Sequence, residues 1–333
     1  MTVSRRPLLT ARRRTASAVA ALGAAALLLT GCGSDSGADK AKGQDGKDAA
    51  SSGTRTVKDA TGKVVEVPAN PQRIVTLTQE DLDAVLALNM KPVGITNGQG
   101  LDKPPAYLAD KVKGIDVVGG LLKPVMDKVV AAKPDLILAG DMQDEQVLKQ
   151  LREITPATLV TMAPTDDWKI SFRGIGNAVN KLNDANKVIA DHEAAAKKAG
   201  EKLGGNKGAA VSIVRWNPDG PSWMETKQFA SGVALEMGLK RPANQNKDGN
   251  AHAPSLSLEK INEIDGDWLF LSTLTSDGEK ALKDVQTKPA YKELGAVKKN
   301  HVVTVSGSVW STRGGPLASE VVMNDISKAL SAS

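Results

Sequence analysis

Residues 166–203 read DDWKISFRGIGNAVNKLNDANKVIADHEAAAKKAGEKL. No proline interrupts them, and Ile170, Ile175, Val179, Leu182, Val188 and Ile189 recur at roughly helical spacing. Asp191–Lys202 is rich in Ala, Lys and Glu, all good helix formers. Pro164-Thr165-Asp166 supplies a start signal and Gly204-Gly205 a stop. The expectation is one long, stiff α-helix over 166–204, longer than most globular helices.

On either side the pattern alternates. Upstream, Val64–Val67 and Arg73–Leu77 read as strands, Glu80–Leu88 as a helix and Pro92–Ile95 as a strand. Asp116–Val118 is short and extended, Val125–Ala132 helical and Leu136–Ala139 a strand. Gln146–Ile154 is a helix and Thr158–Met162 a strand. Downstream, strands at Ala210–Trp216, Trp268–Ser272 and His301–Val305 alternate with helices at Ser231–Met237, Leu258–Ile264, Gly278–Val285 and Pro316–Leu330. Such alternation predicts parallel sheets with helices on both faces. A weak echo links 132–138 to 264–270, each followed by a polar loop and a helix carrying Glu145 or Glu279. The fold class expected is α/β: two Rossmann-like lobes with parallel sheets, at 55–165 and 205–333, joined by the long helix. A single large α/β domain is the alternative.

The N-terminus carries Arg5, Arg6, Arg12, Arg13 and Arg14 and no acid, then an apolar run from Ala16 to Leu29. That run is short of the ~20 residues a membrane span needs, so 1–31 reads as a secretory signal. It ends in Leu29-Thr30-Gly31-Cys32, which resembles a bacterial lipobox; the resemblance implies that Cys32, the only cysteine, is acylated and anchors the chain to the bilayer. Ser4-Arg5-Arg6-Pro7-Leu8-Leu9 loosely resembles a twin-arginine signal, so either export route stays open. The net charge of +5 is removed with the five signal arginines, so it is no argument for a nucleic-acid partner. Residues 32–54 hold the cysteine and a small, polar tether with no Val, Ile, Leu or aromatic, reaching about 25 Å. With a single cysteine the domain must hold together by core packing alone.

Several stretches together resemble the substrate-binding proteins of iron-siderophore and vitamin B12 ABC importers. They are Thr56–Pro68 with Pro71–Val75, Leu86–Gly94, Lys133–Leu138, Gly232–Leu239 with Arg241-Pro242, and Trp310 with Gly315-Pro316-Leu317-Ala318. The resemblance covers 55–331, departing at Asn89, where the family usually has Gly, and at Met126-Asp127, where Leu-Glu is commoner. It implies the class III periplasmic-binding-protein fold, a monomer, and an extracellular receptor that captures a ferric siderophore and delivers it to a membrane permease. It also implies one surface acid per lobe for permease docking, here Glu145 and Glu279.

In open parallel sheets ligands sit beyond the carboxyl ends of the strands. That rule points to Thr78, Asn97, Met142 and Gln143 in the first lobe, and to Arg215, Trp216, Trp223, Trp310 and Arg313 in the second. Indole offers apolar area with one donor, and guanidinium a planar donor fork for chelate oxygens. Trp216 points to the opposite face from Arg215 if the strand is regular, so one of them packs beneath a helix. Trp168 and Trp268 are assigned to packing. Two arginines without a lysine cluster suit a neutral or weakly cationic ferric trishydroxamate, such as a ferrioxamine, better than an anionic triscatecholate.

Other readings have less behind them. The three histidines, His192, His252 and His301, fall in three separate segments, so no metal is expected on the protein itself; iron would be held by the siderophore, and no cofactor is implied. His252 with a methionine keeps haem open, and cobalamin needs little charge. Ser257-Leu258-Glu259-Lys260 fits the S-x-x-K of penicillin-recognising enzymes, but neither S-D-N nor K-T-G follows, and no enzyme is expected.

Overall fold

A computed structural model describes residues 53–331. The signal, Cys32 and most of the tether lie outside those residues. No helix among them is long and apolar enough to cross a membrane.

The chain opens with an antiparallel hairpin, β1 (Thr54–Lys58) and β2 (Val64–Pro68), whose Val57, Val65 and Val67 are buried in the first lobe's core. That lobe contains β3 (Ile74–Thr76), α1 (Gln79–Ala87), β4 (Gly94–Thr96), β5 (Asp116–Gly120), β6 (Lys123–Pro124), α2 (Met126–Ala131), β7 (Leu136–Leu138), α3 (Glu145–Ile154) and β8 (Thr158–Leu159). Its six-stranded sheet has the order β6-β5-β4-β3-β7-β8, parallel except for β6. The central strands read IVT and LIL and are buried throughout, as strands covered on both faces must be. At the end of α1, Asn89 adopts a left-handed conformation (φ 56) while Met90 N–H bonds Val85 O at 3.0 Å. The conformation is the one glycine takes most easily and asparagine tolerates, which explains why the family position accepts this residue.

The connector is not one helix. It is two, α4 (Trp168–Ala178) and α5 (Leu182–Glu201), folded back on each other. Lys169 pairs with Glu193 at 2.8 Å and Arg173 with Asn186 at 3.2 Å, so the helices run antiparallel. A Schellman turn ends α4: Asn180 is left-handed (φ 61), Lys181 N–H bonds Gly176 O at 2.6 Å and Asn180 N–H bonds Asn177 O at 3.2 Å. Arg55 Nη2 adds 2.7 and 2.9 Å bonds to the Asn177 and Ala178 carbonyls, where a cation is favoured. α5 runs from one lobe to the other. Its Ala185 and Ile189 belong to the first core, its Ala196 to the second, over about 30 Å of helix.

The second lobe holds β9 (Val211–Asn217), β10 (Gly220–Trp223), α6 (Phe229–Glu236), β11 (Trp268–Ser272), α7 (Ser276–Val285), α8 (Pro289–Lys292), α9 (Gly295–Lys298), β12 (Val302–Thr304), α10 (Gly307–Trp310) and α11 (Pro316–Ser331). Its sheet has the order β10-β9-β11-β12, with β10 antiparallel and the other three parallel. The segment expected as a helix at 258–264 is a kinked 3-10 turn instead.

The αα-hairpin generates a paired prediction. A Cβ at Gly176 would lie 2.6 Å from the Ala185 Cβ, whereas one at Gly174 would meet nothing within 4 Å. Gly176→Val should therefore destabilise the fold by about 1–3 kcal/mol through overpacking, while Gly174→Ala should stabilise it by about 0.5–1 kcal/mol through helix propensity. Urea unfolding of both variants checks this; equal effects would refute the packing assigned to the hairpin.

Candidate functional site

The two sheets differ at their open ends from their interiors, and the second lobe shows how. On one face of its sheet Ile213 pairs with Phe270 in the core; one step along the same face, Arg215 pairs with Ser272 on β11 and Ser222 on β10. The apolar face thus ends in a polar rim. Arg215 is half-buried there, and its Nη2 lies 2.6 Å from His252 Nε2. A guanidinium only donates, so Nε2 accepts, and the imidazole proton sits on Nδ1, 3.1 Å from Ala253 O. The Arg215 Nε is buried with no acceptor among the described residues. Burial pulls the guanidinium below its ordinary pKa.

The tryptophans expected beside Arg215 are elsewhere. Trp216 points to the opposite face, 2 % exposed, among Leu271, Ile264 and Leu282. Trp223 ends β10 opposite Val214; because β10 runs against β9, that end points away from the rim, and the indole is in the same core. Trp310 is 1 % exposed, stacks on Phe270 at 4.6 Å and donates from Nε1 to Asp325 Oδ2 at 2.9 Å. All three are core residues, a correction to their expected place on the cleft wall.

In the first lobe, Thr78 is likewise not available to a ligand. Its hydroxyl accepts from Asp81 N–H at 3.2 Å as the N-cap of α1 and donates to Asp81 Oδ2 at 2.8 Å. Met142 is buried in that lobe's second cluster. Gln143 is exposed ahead of the Asp144 N-cap of α3. Asn97 is half-buried at the end of β4, its Oδ1 without a partner.

Between the lobes lies a cavity of about 340 Å³. Its wall comes from the first turn of α1 (Glu80), the start of α4 (Trp168, Phe172), the start of α6 (Phe229), Asn250 and Arg313. Asn250 stands two residues from His252 on the segment that runs along β10, but Arg215 and His252 are not themselves part of the cavity wall. Arg313, a predicted site residue, reaches across the lobes to the carbonyls of Ala163 (3.3 Å) and Pro164 (3.1 Å). Trp168, expected to be mere packing, is half-buried on this wall, edge-on to His192 at 4.9 Å. Trp268 does pack, stacked on His301 at 4.1 Å.

The wall's titratable groups are committed with one exception. Lys169 pairs with Glu193 and with Glu236 (2.7 Å), and Lys227 with Asp248 (2.9 Å). Glu236 also meets His192 Nε2 at 2.6 Å. Burial pushes the Glu80 carboxyl up to about 8, with the neighbouring Asp81 and Asp141 adding to the rise and Arg313 opposing it. No group of three or more His, Cys, Asp or Glu that could hold a metal occurs among the described residues. Ser257 and Lys260 are both exposed on the 3-10 turn, away from the cavity.

A profile of the family described as periplasmic binding protein matches residues 74–308. The chain belongs to that family. It is 33% identical over 312 residues to the "Probable siderophore-binding lipoprotein YfiY" of Bacillus subtilis, covering 91% of this chain and 94% of that one. It is 30% identical to the petrobactin-binding protein YclQ of the same organism, covering 90% and 93%. The crystal structure of Staphylococcus aureus SirA complexed with staphyloferrin B superposes with a TM-score of 0.73 at 23% identity, over 83% of this chain and 98% of that one. The fold is the class III periplasmic binding protein fold, with parallel-rich sheets in two lobes.

The Glu80 carboxyl sets a pH dependence. Its folded value of about 8 lies above the ordinary 4.5, so the folded state holds the proton more tightly. Folding is therefore penalised progressively as pH rises through that window, fully so above about 8 and not at all below 4.5. Glu80→Gln should be more stable than wild type at pH 8, with the gap closing by pH 5. Denaturation at several pH values checks this, and a gap that does not vary with pH would contradict it.

Proposed function

We propose that this chain is the receptor lipoprotein of an ABC iron importer, that it captures a ferric siderophore between its lobes, and that it passes the complex to a membrane permease. The observation that carries the reading is the cavity walled by residues of both lobes, with Trp168, Phe172, Phe229 and Arg313 around it. Family membership and the siderophore-binding names of relatives that align along nearly the whole chain support the same cargo.

Within siderophores, the charge of the site favours a ferric trishydroxamate of low net charge, a ferrioxamine for example. The wall's cations sit in ion pairs or on backbone carbonyls, leaving no basic basin for a highly anionic triscatecholate. Haem capture through His252 fares worse, because its Nε2 is engaged by Arg215. The receptor acts as a monomer held outside the membrane by acylated Cys32. It presents Glu145 and Glu279, both exposed in the first turns of α3 and α7, to basic residues of the permease. Among the described residues each acid is paired only on its own helix, with Arg152 at 3.7 Å and Lys283 at 2.7 Å. Such surface pairs are weak and exchangeable.

Intrinsic fluorescence tests the cargo. Trp168 is the indole on the cavity wall, so a ferric hydroxamate should quench emission saturably, and Trp168→Phe should remove most of the response. No response to any ferric hydroxamate would reject that class, with ferric catecholate, ferric citrate, haem and cobalamin as the comparison set. Arg215→Ala should weaken binding by about 1.5–3 kcal/mol, the scale of a charged hydrogen bond; unchanged affinity would return Arg215 to a structural role. Glu145→Ala combined with Glu279→Ala should leave binding intact and abolish uptake, and normal uptake would remove the docking assignment.

A further inference from the structure

The inter-lobe cavity is small. Its volume of about 340 Å³ lies at the bottom of the range for small-molecule pockets, about 300–1,000 Å³. It suits one arm of a larger ligand whose iron centre stays outside it.

The wall defines what kind of arm. Trp168, Phe172 and Phe229 give it aromatic surface of the kind that takes a methylene chain or a cation. Four acids also line it: Glu80, Asp166, Asp167 and Glu236. Three have protein partners. Asp166 Oδ2 accepts from Ala163 N–H at 2.9 Å, Asp167 Oδ1 caps α4 through Ile170 N–H at 2.8 Å, and Glu236 is held by Lys169 and His192. The fourth, Glu80, meets only its own backbone N–H; no side chain among the described residues supplies it a partner. Arg313 lowers the Glu80 pKa through space, but none of the wall's cations hydrogen-bonds it. Lys169 and Lys227 are ion-paired, and the Arg313 Nη groups face the Ala163 and Pro164 carbonyls.

We propose that this cavity is a subsite for an alkylammonium arm, and that Glu80 selects siderophores ending in a protonated primary amine. The assignment rests on the ferric-hydroxamate reading above and deepens it. An incoming ammonium favours the ionised form of Glu80, so it would release the Glu80 proton to solvent and donate to the resulting carboxylate while its methylenes lie against Trp168 and Phe229. A neutral arm of the same length would fill the same space and leave the carboxyl unmatched.

The test compares complexes with the same iron-binding groups. Ferrioxamine B carries a free ammonium on its arm; its N-acetyl derivative keeps the arm and loses the charge; ferrioxamine E is cyclic and has no arm. By calorimetric titration at a pH above about 8, where Glu80 is ionised, the wild type should bind ferrioxamine B about tenfold or more tightly than the acetylated complex, the effect of one charged hydrogen bond. Glu80→Gln should bring that ratio close to one. Equal wild-type affinities for these two complexes, or a preference that survives in Glu80→Gln, would overturn the proposal, and the first of these needs no variant to fold. Binding of ferrioxamine E as tightly as ferrioxamine B would likewise overturn it while leaving the hydroxamate reading intact. If none of the three binds, the hydroxamate reading itself fails and the subsite falls with it.

Discussion

Asp83 lies in the first lobe, on α1, and its carboxylate closes the N-terminus of a helix in the second. Oδ1 accepts from Leu317 N–H at 2.9 Å and Oδ2 from Ala318 N–H at 2.8 Å, the bonds a helix normally receives from its own N-cap. Tyr107 donates a third, at 2.9 Å. Burial pushes the Asp83 carboxyl up to about 6, opposed by these same bonds. Four residues earlier, Gln79 Nε2 reaches the Ser308 carbonyl (2.7 Å), the Thr312 hydroxyl and the Arg313 carbonyl (both 3.0 Å). One turn of one helix therefore ties the lobes together beside the cavity. It also accounts for the motif Gly315-Pro316-Leu317-Ala318. A Cβ on Gly315 would sit 2.6 Å from Asp83 Oδ1, Pro316 opens the helix at a position that needs no N–H, and the next two residues present the N–H groups Asp83 takes.

The alternation of strand and helix was legible because each central strand is covered on both faces and reads as an unbroken apolar run. The connector was misread for a physical reason. Apolar spacing in 166–203 continues smoothly through the turn, since α4 and α5 bury their stripes against the same cores. What breaks the helix is local: Asn180 in a left-handed conformation and Gly176 where the two helices touch. Gly174, Gly176 and Asn180 were visible in the sequence, but periodicity outweighed them.

At the site, strand-end logic located Arg215 and failed for the indoles. Alternation along β9 sends Arg215 and Trp216 to opposite faces, so both could not reach the rim. The antiparallel edge strand β10 reverses which of its ends faces the cleft, a reversal that alternation of elements cannot reveal. Trp310 is decided by a stacking partner, Phe270, and an acceptor, Asp325, both distant in sequence. Trp168 was missed because the start of a helix looks the same whether it meets a core or a gap between lobes.

These ties bear on how the receptor can work. A hinge built from extended strands opens by changing a few backbone torsions. Here α5 is buried at both ends in different cores, and its hairpin partner α4 borders the cavity. Opening the lobes widely would have to bend α5, strip the Asp83 cap from α11 and take carboxylates such as Asp83 off their backbone donors. The same carboxylates would be re-solvated, which repays part of the loss but not the packing. Ligand entry is therefore best served by small displacements at the rim, where Arg215 and His252 are half-buried or exposed, with the inner contacts kept. A cleft that scarcely changes shape selects its cargo by the groups already in place, and so places the burden of specificity on a few partnerless polar atoms rather than on closure.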